Sequence, residues 1–206
     1  MNDARQFAPA TERNREYILK VLLKVLPKEG TILEIASGTG EHAVFFAPHL
    51  HPRIWQPSDP NPILRDSIAA WRSHSPADNL HPPLEINASQ LVWPVEKNPP
   101  EVPIGAIVNI NMIHISPWEA CLGLMAGAGR VLPNEGILYL YGPFKRDGKH
   151  TAPSNASFDE SLRLQNSQWG VRDLEAVTEV AQKEGLKLLE VIQMPANNLS
   201  VVFQRE

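Results

Sequence analysis

The sequence predicts an α/β fold: a Rossmann-like, seven-stranded mixed sheet with helices on both faces and a C-terminal antiparallel hairpin. Three features point to it. Ile32, Leu33 and Ile35 form a short apolar run that ends in Gly38-Thr39-Gly40, and an apolar helix-like stretch, Ala43 to Ala47, follows. Strand, glycine turn, helix is how an open parallel sheet meets a nucleotide-like ligand at its carboxyl edge. Asp59 closes the second expected strand, 53–59, and lies 19 residues beyond Gly40, the separation at which an acid reaches ribose hydroxyls. Finally, Leu186–Ile192 and Leu199–Phe203 flank Pro195-Ala196-Asn197-Asn198. That connection is too short for a crossover helix, so the two strands pair antiparallel.

Composition narrows the function classes. A chain of 206 residues, 43% hydrophobic, fits a single domain over 1–206 with a full core. A net charge of -4 without a basic run argues against a nucleic-acid partner. No apolar run reaches the ~18 residues of a membrane span. The start, with Asn2, Asp3, Arg5 and Gln6, lacks a secretory pattern, so a cytoplasmic location is expected. Cys121 has no second cysteine to pair with and falls in an apolar stretch, as a core residue does. His49-x-His51 lies in a proline-rich loop, and no metal site is expected.

In chain order, residues 1–30 read as an N-terminal cap helix. Thr11 is its expected N-cap, Ile18, Val21, Leu22 and Val25 its apolar face, and Pro27 and Gly30 its end. Arg13, in the first turn, reads either as a solvated cation or as a contact for an anionic group. The helix after Gly40 is expected to end at Pro48, and 62–71 to form the next one. A third strand, Leu84–Ile86, ends at Asn87, whose amide can both donate and accept along an adenine edge or simply make a turn. The fourth strand, from Ile104, runs into Asn109-Ile110-Asn111-Met112-Ile113-His114 at the topological switch point, where ligand and substrate meet. Asn109 and Asn111 either bond the ligand or satisfy loop amides. His114 is the candidate base, because histidine titrates near neutrality, unless it is a packed core residue. Tyr141 and Phe144 close the fifth strand and either wall a pocket or pack. Residues 145–173 form a long polar connection of lid-like character.

The glycine spacing alone also fits a dinucleotide site. Glu34 separates the two: a diphosphate wants helix amides and no nearby anion. S-adenosylmethionine (SAM), with its ammonium and sulfonium, favours an acid at the strand end. The expected cofactor-binding set is Glu34, Ser37, Gly38, Thr39, Gly40, His42, Asp59, Asn87 and Asn109, with Gly38 making the turn and Gly40 giving the ligand bare backbone. Arg13, Asn111, Tyr141 and Phe144 are the substrate candidates.

Leu33-Glu34-Ile35-Ala36-Ser37-Gly38-Thr39-Gly40 resembles the first SAM motif of class I methyltransferases, and Asn87-Ala88 and 109–114 match later motifs by position. More narrowly, Pro9-Ala10-Thr11-Glu12-Arg13-Asn14, residues 157–163 and Trp169-Gly170-Val171-Arg172-Asp173 resemble the domain-of-unknown-function 938 group, whose animal relatives are called methyltransferase-like 26. The resemblance covers nearly the whole chain. It implies SAM binding and supplies no substrate. From the cofactor follows the expected function, a SAM-dependent methyltransferase acting on an unidentified small-molecule acceptor by in-line methyl transfer. Asn87 departs from the Asp that many of the wider class carry there. No Asn-Pro-Pro-aromatic motif follows the fourth strand, which disfavours amino methylation of nucleic-acid bases. The alternatives are a non-catalytic SAM-binding or partner-binding protein and, against Glu34, a NAD-dependent reductase.

Overall fold

Side chains alternate across a strand, and β1 (Thr31–Ile35) shows what that does here. Leu33 and Ile35 enter one apolar core while Ile32 enters the other, so the strand needs cover on both faces. Every residue of β1 is buried, as in a central strand of a parallel sheet. The computed structural model describes residues 3–206, so Met1 and Asn2, part of the expected 1–206 domain, lie outside the described residues. After α1 (Pro9–Val25) and β1 come α2 (Glu41–His49), β2 (Ile54–Ser58), α3 (Pro62–His74), α4 (Pro94–Lys97), β3 (Ile104–Ile110) and α5 (Trp118–Val131). The chain continues through β4 (Ile137–Gly142), β5 (Phe144–Arg146), β6 (Lys149–His150), α6 (Pro153–Gln165), β7 (Arg172–Asp173), α7 (Leu174–Lys183), β8 (Leu186–Met194) and β9 (Asn198–Arg205).

The main sheet has six strands in the order β2-β1-β3-β4-β9-β8. β2, β1, β3 and β4 are parallel, and β9 and β8 add the antiparallel hairpin. Helices α1 and α2 pack over the face carrying Ile32 and Val108, and α5 and α7 over the face carrying Leu33 and Ile107. Strand order reverses between β1 and β3, which opens a crevice at their carboxyl ends. Among the described residues no helix is long and apolar enough to cross a membrane.

The structure differs from the sequence reading at three places. The strand at Leu84–Ile86 does not form; the segment makes only the isolated bridges Trp55↔Leu80 and Ser58↔Leu84 beside β2. Pro82 and Pro83 lie between the bridges and have no amide to extend a ladder. The sheet therefore has six strands instead of seven. The long polar connection over 145–173 carries secondary structure that the sequence did not suggest: β5, β6 and β7 form a second, three-stranded sheet around α6. Helix α1 starts earlier than its expected cap, with Ala8 at the N-cap and Pro9 in the first turn, where a missing amide costs nothing. Thr11 is thereby drawn inside the helix, and only 4% of it is exposed.

The two turn glycines divide the work differently from the sequence reading. Gly38 has φ +58° and open space where a Cβ would stand, whereas a Cβ on Gly40, at φ +92°, would lie 2.8 Å from Ile68 Cα in α3. Gly38 therefore offers bare backbone to a ligand, and Gly40 lets α3 pack against the turn. Gly40→Ala is expected to cost about 2–4 kcal/mol in urea unfolding, strain plus overpacking, against about 1 kcal/mol for Gly38→Ala, strain alone.

Candidate functional site

The crevice holds a cleft of about 540 Å³ between the carboxyl ends of β1 and β3 and the first turn of α1, within the size range of small-molecule sites. Its lining includes the apolar side chains of Pro60, Leu64, Ile86, Ala88 and Ala120, residues Ala8, Ala10 and Thr11 of the N-terminal segment, and Asn111 after β3. Glu34, Gly38 and Asp59 line the same cleft. No lysine or arginine lines the cleft.

Glu34 is 2% exposed, and its carboxylate accepts from the Trp55 indole at 3.0 Å. Burial pushes its pKa up to about 7, and the nearby Asp59 charge adds to the rise. Asp59 is held by two backbone amides, Gly38 N–H to Oδ2 at 3.0 Å and Asn61 N–H to Oδ1 at 2.9 Å. Burial raises its pKa, and those two amides work against the rise. His42 donates from Nε2 to Asn14 Oδ1 at 2.8 Å and stacks on Phe46. Burial and then the Arg15 charge lower its pKa to about 3, so the ring is neutral. The Thr39 hydroxyl donates to Glu41 at 3.0 Å, and Ser67 anchors the Thr39 carbonyl. Asn87 lines the cleft while its Oδ1 accepts the Ser89 amide at 3.0 Å, so it caps its own turn. Asn111 lines the cleft at φ +63°, with its backbone N–H donating to the Tyr141 carbonyl.

A family model described as "Protein of unknown function (DUF938)" matches residues 5–205. The chain belongs to the DUF938 family. In overall shape this DUF938 chain is similar to an O-methyltransferase family protein from Burkholderia thailandensis, at a TM-score of 0.77 and 16% identity over 96% of this chain and 57% of that one. It is similar to human N-acetylserotonin methyltransferase in complex with SAM, at a TM-score of 0.75 and 12% identity over 95% and 52% of the two chains. CalO1, a methyltransferase of calicheamicin biosynthesis in its SAH-bound form, gives 0.72 and 16% identity over 96% and 55%. These likenesses show the Rossmann-like methyltransferase fold. The chain spans about half the length of these solved structures.

Of the residues singled out in the sequence, Glu34, Ser37, Gly38, Thr39, His42, Asp59, Asn87 and Asn111 line the DUF938 cleft. The others do not. Gly40 packs on Ile68. Asn109 is 1% exposed and spends its amide on the Ile35 carbonyl at 2.9 Å. His114 sits off the cleft, buried edge-on against Phe144, with neither ring nitrogen bonded among the described residues. Burial and the Arg172 charge lower its pKa to about 3, far from the range that suits a base. Phe144 belongs to the core, Tyr141 is 3% exposed, and Arg13 is solvent-exposed. Ser37, although on the cleft wall, accepts the Ser58 amide on its hydroxyl oxygen at 3.0 Å. Tyr141 and Lys145 have Tyr-x-x-x-Lys spacing, but they lie on extended chain, and Lys145 pairs with Asp159 at 3.4 Å.

Sequence reasoning missed Thr11, Asn14 and Trp55. The signal for the first two was present: Thr11 and Asn14 continue the phase of Ile18, Val21 and Leu22 backwards at helical spacing, and Arg13 does not. The Trp55 role had no comparable signal, because it depends on the register of β2 against β1.

The folded-state pKa of Glu34 lies above its ordinary value near ~4.3. Between those values the folded chain keeps a proton that the unfolded chain has lost. The stability Glu34 contributes is therefore intact at low pH and is lost as pH rises through about 7. Glu34→Gln, whose amide oxygen still accepts from Trp55, removes that loss. Its stability relative to the parent, by urea unfolding, is expected to improve on the order of 2–3 kcal/mol between pH 5 and pH 8. A constant difference across that range would mean that Glu34 is ionised throughout.

Proposed function

We propose that the protein is a SAM-dependent methyltransferase that acts on a small-molecule acceptor in the cytoplasm. The single observation that carries this reading is the buried Glu34 carboxyl, which faces the cleft beside the open backbone of Gly38 with no cation among the lining residues. A buried acid without a cationic partner fits a ligand that brings the positive charge with it. The oriented Asp59 carboxylate fits a pair of ribose hydroxyls. The apolar lining residues Leu64, Ile86, Ala88 and Ala120 fit a planar base, and the Asn87 amide fits its polar edge. SAM presents all three features. A net charge of -4 without a basic run supports a metabolite as acceptor over nucleic acid.

When bound, SAM supplies a methyl group already activated on a sulfonium. What remains for the chain is to hold a nucleophile in line, and orientation of that kind is worth ~7–11 kcal/mol. The wall formed by α1 and the loop from Asn111 to Pro117 excludes water and sets the approach. Asn111 is the polar side chain nearest the switch point that remains on the cleft, and it orients the acceptor. His42, neutral and fixed by Asn14, holds the N-terminal helix against the turn.

Calorimetry with SAM tests the assignment. A cationic ligand favours the ionised form of Glu34, so binding is expected to expel a proton near pH 7. Affinity then rises from pH 6 to pH 8, and the measured heat depends on the ionisation enthalpy of the buffer. Glu34→Gln is expected to bind about tenfold more weakly at pH 8 and to lose the buffer dependence. Absence of any SAM heat at millimolar ligand, or NADH fluorescence enhancement in its place, would overturn the assignment.

A further inference from the structure

A SAM-like ligand also carries a carboxylate, and the cleft offers it no cation. The lining residues include two acids and neither lysine nor arginine, and Arg13 faces solvent. The carboxylate must then be held by neutral donors. We infer that the first turn of α1, with the Thr11 hydroxyl, is the seat for the ligand's amino-acid carboxylate, a role that rests on the proposed cofactor.

Two independent features meet there. The first is the N-terminus of a 17-residue helix, which carries partial positive charge and unpaired amides. Its N-cap residue, Ala8, supplies no side-chain cap, and the Ala8 amide donates to Glu41, which leaves the next amides of the helix without a side-chain partner. Pro9 has no amide, and the Thr11 amide bonds the Ala8 carbonyl. Ala10, which lines the cleft, has no helical carbonyl behind it to accept its N–H. The second is Thr11 itself. It is 4% exposed, lines the cleft, and its hydroxyl makes no hydrogen bond among the described residues. Because the helix begins at Pro9, this hydroxyl is not used as a cap. An unbonded hydroxyl on a nearly buried side chain, one residue from an unpaired amide, is a donor pair for one carboxylate.

The neighbouring charges leave room for this. Glu41 is engaged by the Ala8 amide and the Thr39 hydroxyl. Glu12 lies about 100° around the helix from Thr11 and is solvent-exposed. Asn14, one turn further on, is occupied by His42. Asp59 and Asn87 also line the cleft, and the proposed cofactor takes them for its nucleoside. That leaves Ala10 and Thr11 for the amino-acid carboxylate and Glu34 for the ammonium.

The test uses two probes on the full chain: S-adenosylhomocysteine, which has the amino-acid end, and 5′-methylthioadenosine, which lacks it. Thr11→Val keeps the shape and removes the donor. It is expected to weaken S-adenosylhomocysteine binding about tenfold in calorimetry and to leave methylthioadenosine within twofold. Thr11→Ser is expected to restore the parent affinity, and thermal melts of both variants check the fold. Unchanged S-adenosylhomocysteine affinity in Thr11→Val overturns the assignment, and so does an equal loss for both probes, which marks a structural effect. A parent protein that binds neither probe nor SAM overturns the cofactor itself, an outcome distinct from either.

Discussion

Where parallel strands end, their last carbonyls lose the partners that the ladder supplied, and burial makes that costly. The carboxyl end of β1 is the point at which this chain must solve that problem. The Ser58 hydroxyl donates to the Glu34 carbonyl at 2.7 Å, and the Asn109 amide donates to the Ile35 carbonyl at 2.9 Å. The Ser37 amide returns to the Ser58 carbonyl, and its hydroxyl accepts the Ser58 amide. With these four bonds made, β2 and β3 are tied to the tip of β1 by side chains as well as by backbone. The turn through Gly38 can then leave the sheet plane. The crevice depends on that closure: it is an opening in a sheet whose edges have been sealed locally.

The closure also fixes the electrostatics. Asp59 follows Ser58 directly, so anchoring Ser58 sets the direction in which Asp59 leaves β2 and brings its carboxylate to the Gly38 amide. Glu34 is paired in register with Pro57 and Val108 and cannot swing out to water. Two carboxyls are thus held on the cleft with no lysine or arginine on its wall. Burial raises the pKa of both acids, and the Asp59 charge adds to the rise at Glu34. Trp55 relieves Glu34 with one hydrogen bond and no charge. The cleft therefore remains an unbalanced acidic environment, with a preference for cations built into the fold.

Which parts of this were legible in the sequence follows from the range of the interactions. The strand–turn–helix around Gly38 and the acid at Asp59 are set by short-range pattern, and both lie where the spacing placed them. The hairpin of β8 and β9 followed from a loop too short for any other connection. The roles that exchanged are those decided by contacts distant in sequence. Gly40 and Gly38 look alike until α3 is packed against one of them. Asn109 looks like a ligand contact until the Ile35 carbonyl, 74 residues earlier, needs a donor. His114 titrates near neutrality as a free side chain, but the packed Phe144 and the Arg172 charge remove that property. The absent edge strand was legible in Pro82-Pro83 and was outweighed by the apolar residues beside it.

The segment from β5 to β7 bears on the cleft without lining it. Asp159, 6% exposed, gathers Lys145, His150 and Arg163 on one oxygen within 3.4 Å, and accepts the Val171 amide on the other at 2.7 Å. A buried acid with two cations, a histidine ring and an amide is stable only as a set, because removing one partner leaves the others desolvated. That set fixes Gly170 and Arg172. The Gly170 amide bonds the His114 carbonyl at 2.9 Å, and the Arg172 guanidinium bonds the carbonyls of Ile113 and Ser116. The loop so held contains Met112, Ile115 and Ser116, which form one wall of the cleft. His114 is then the pivot of that wall, its backbone used and its ring packed. The position expected to hold a base holds the loop in place, and the polar residues that face the ligand space, Thr11 and Asn111, come from the helix and the turn on either side of it.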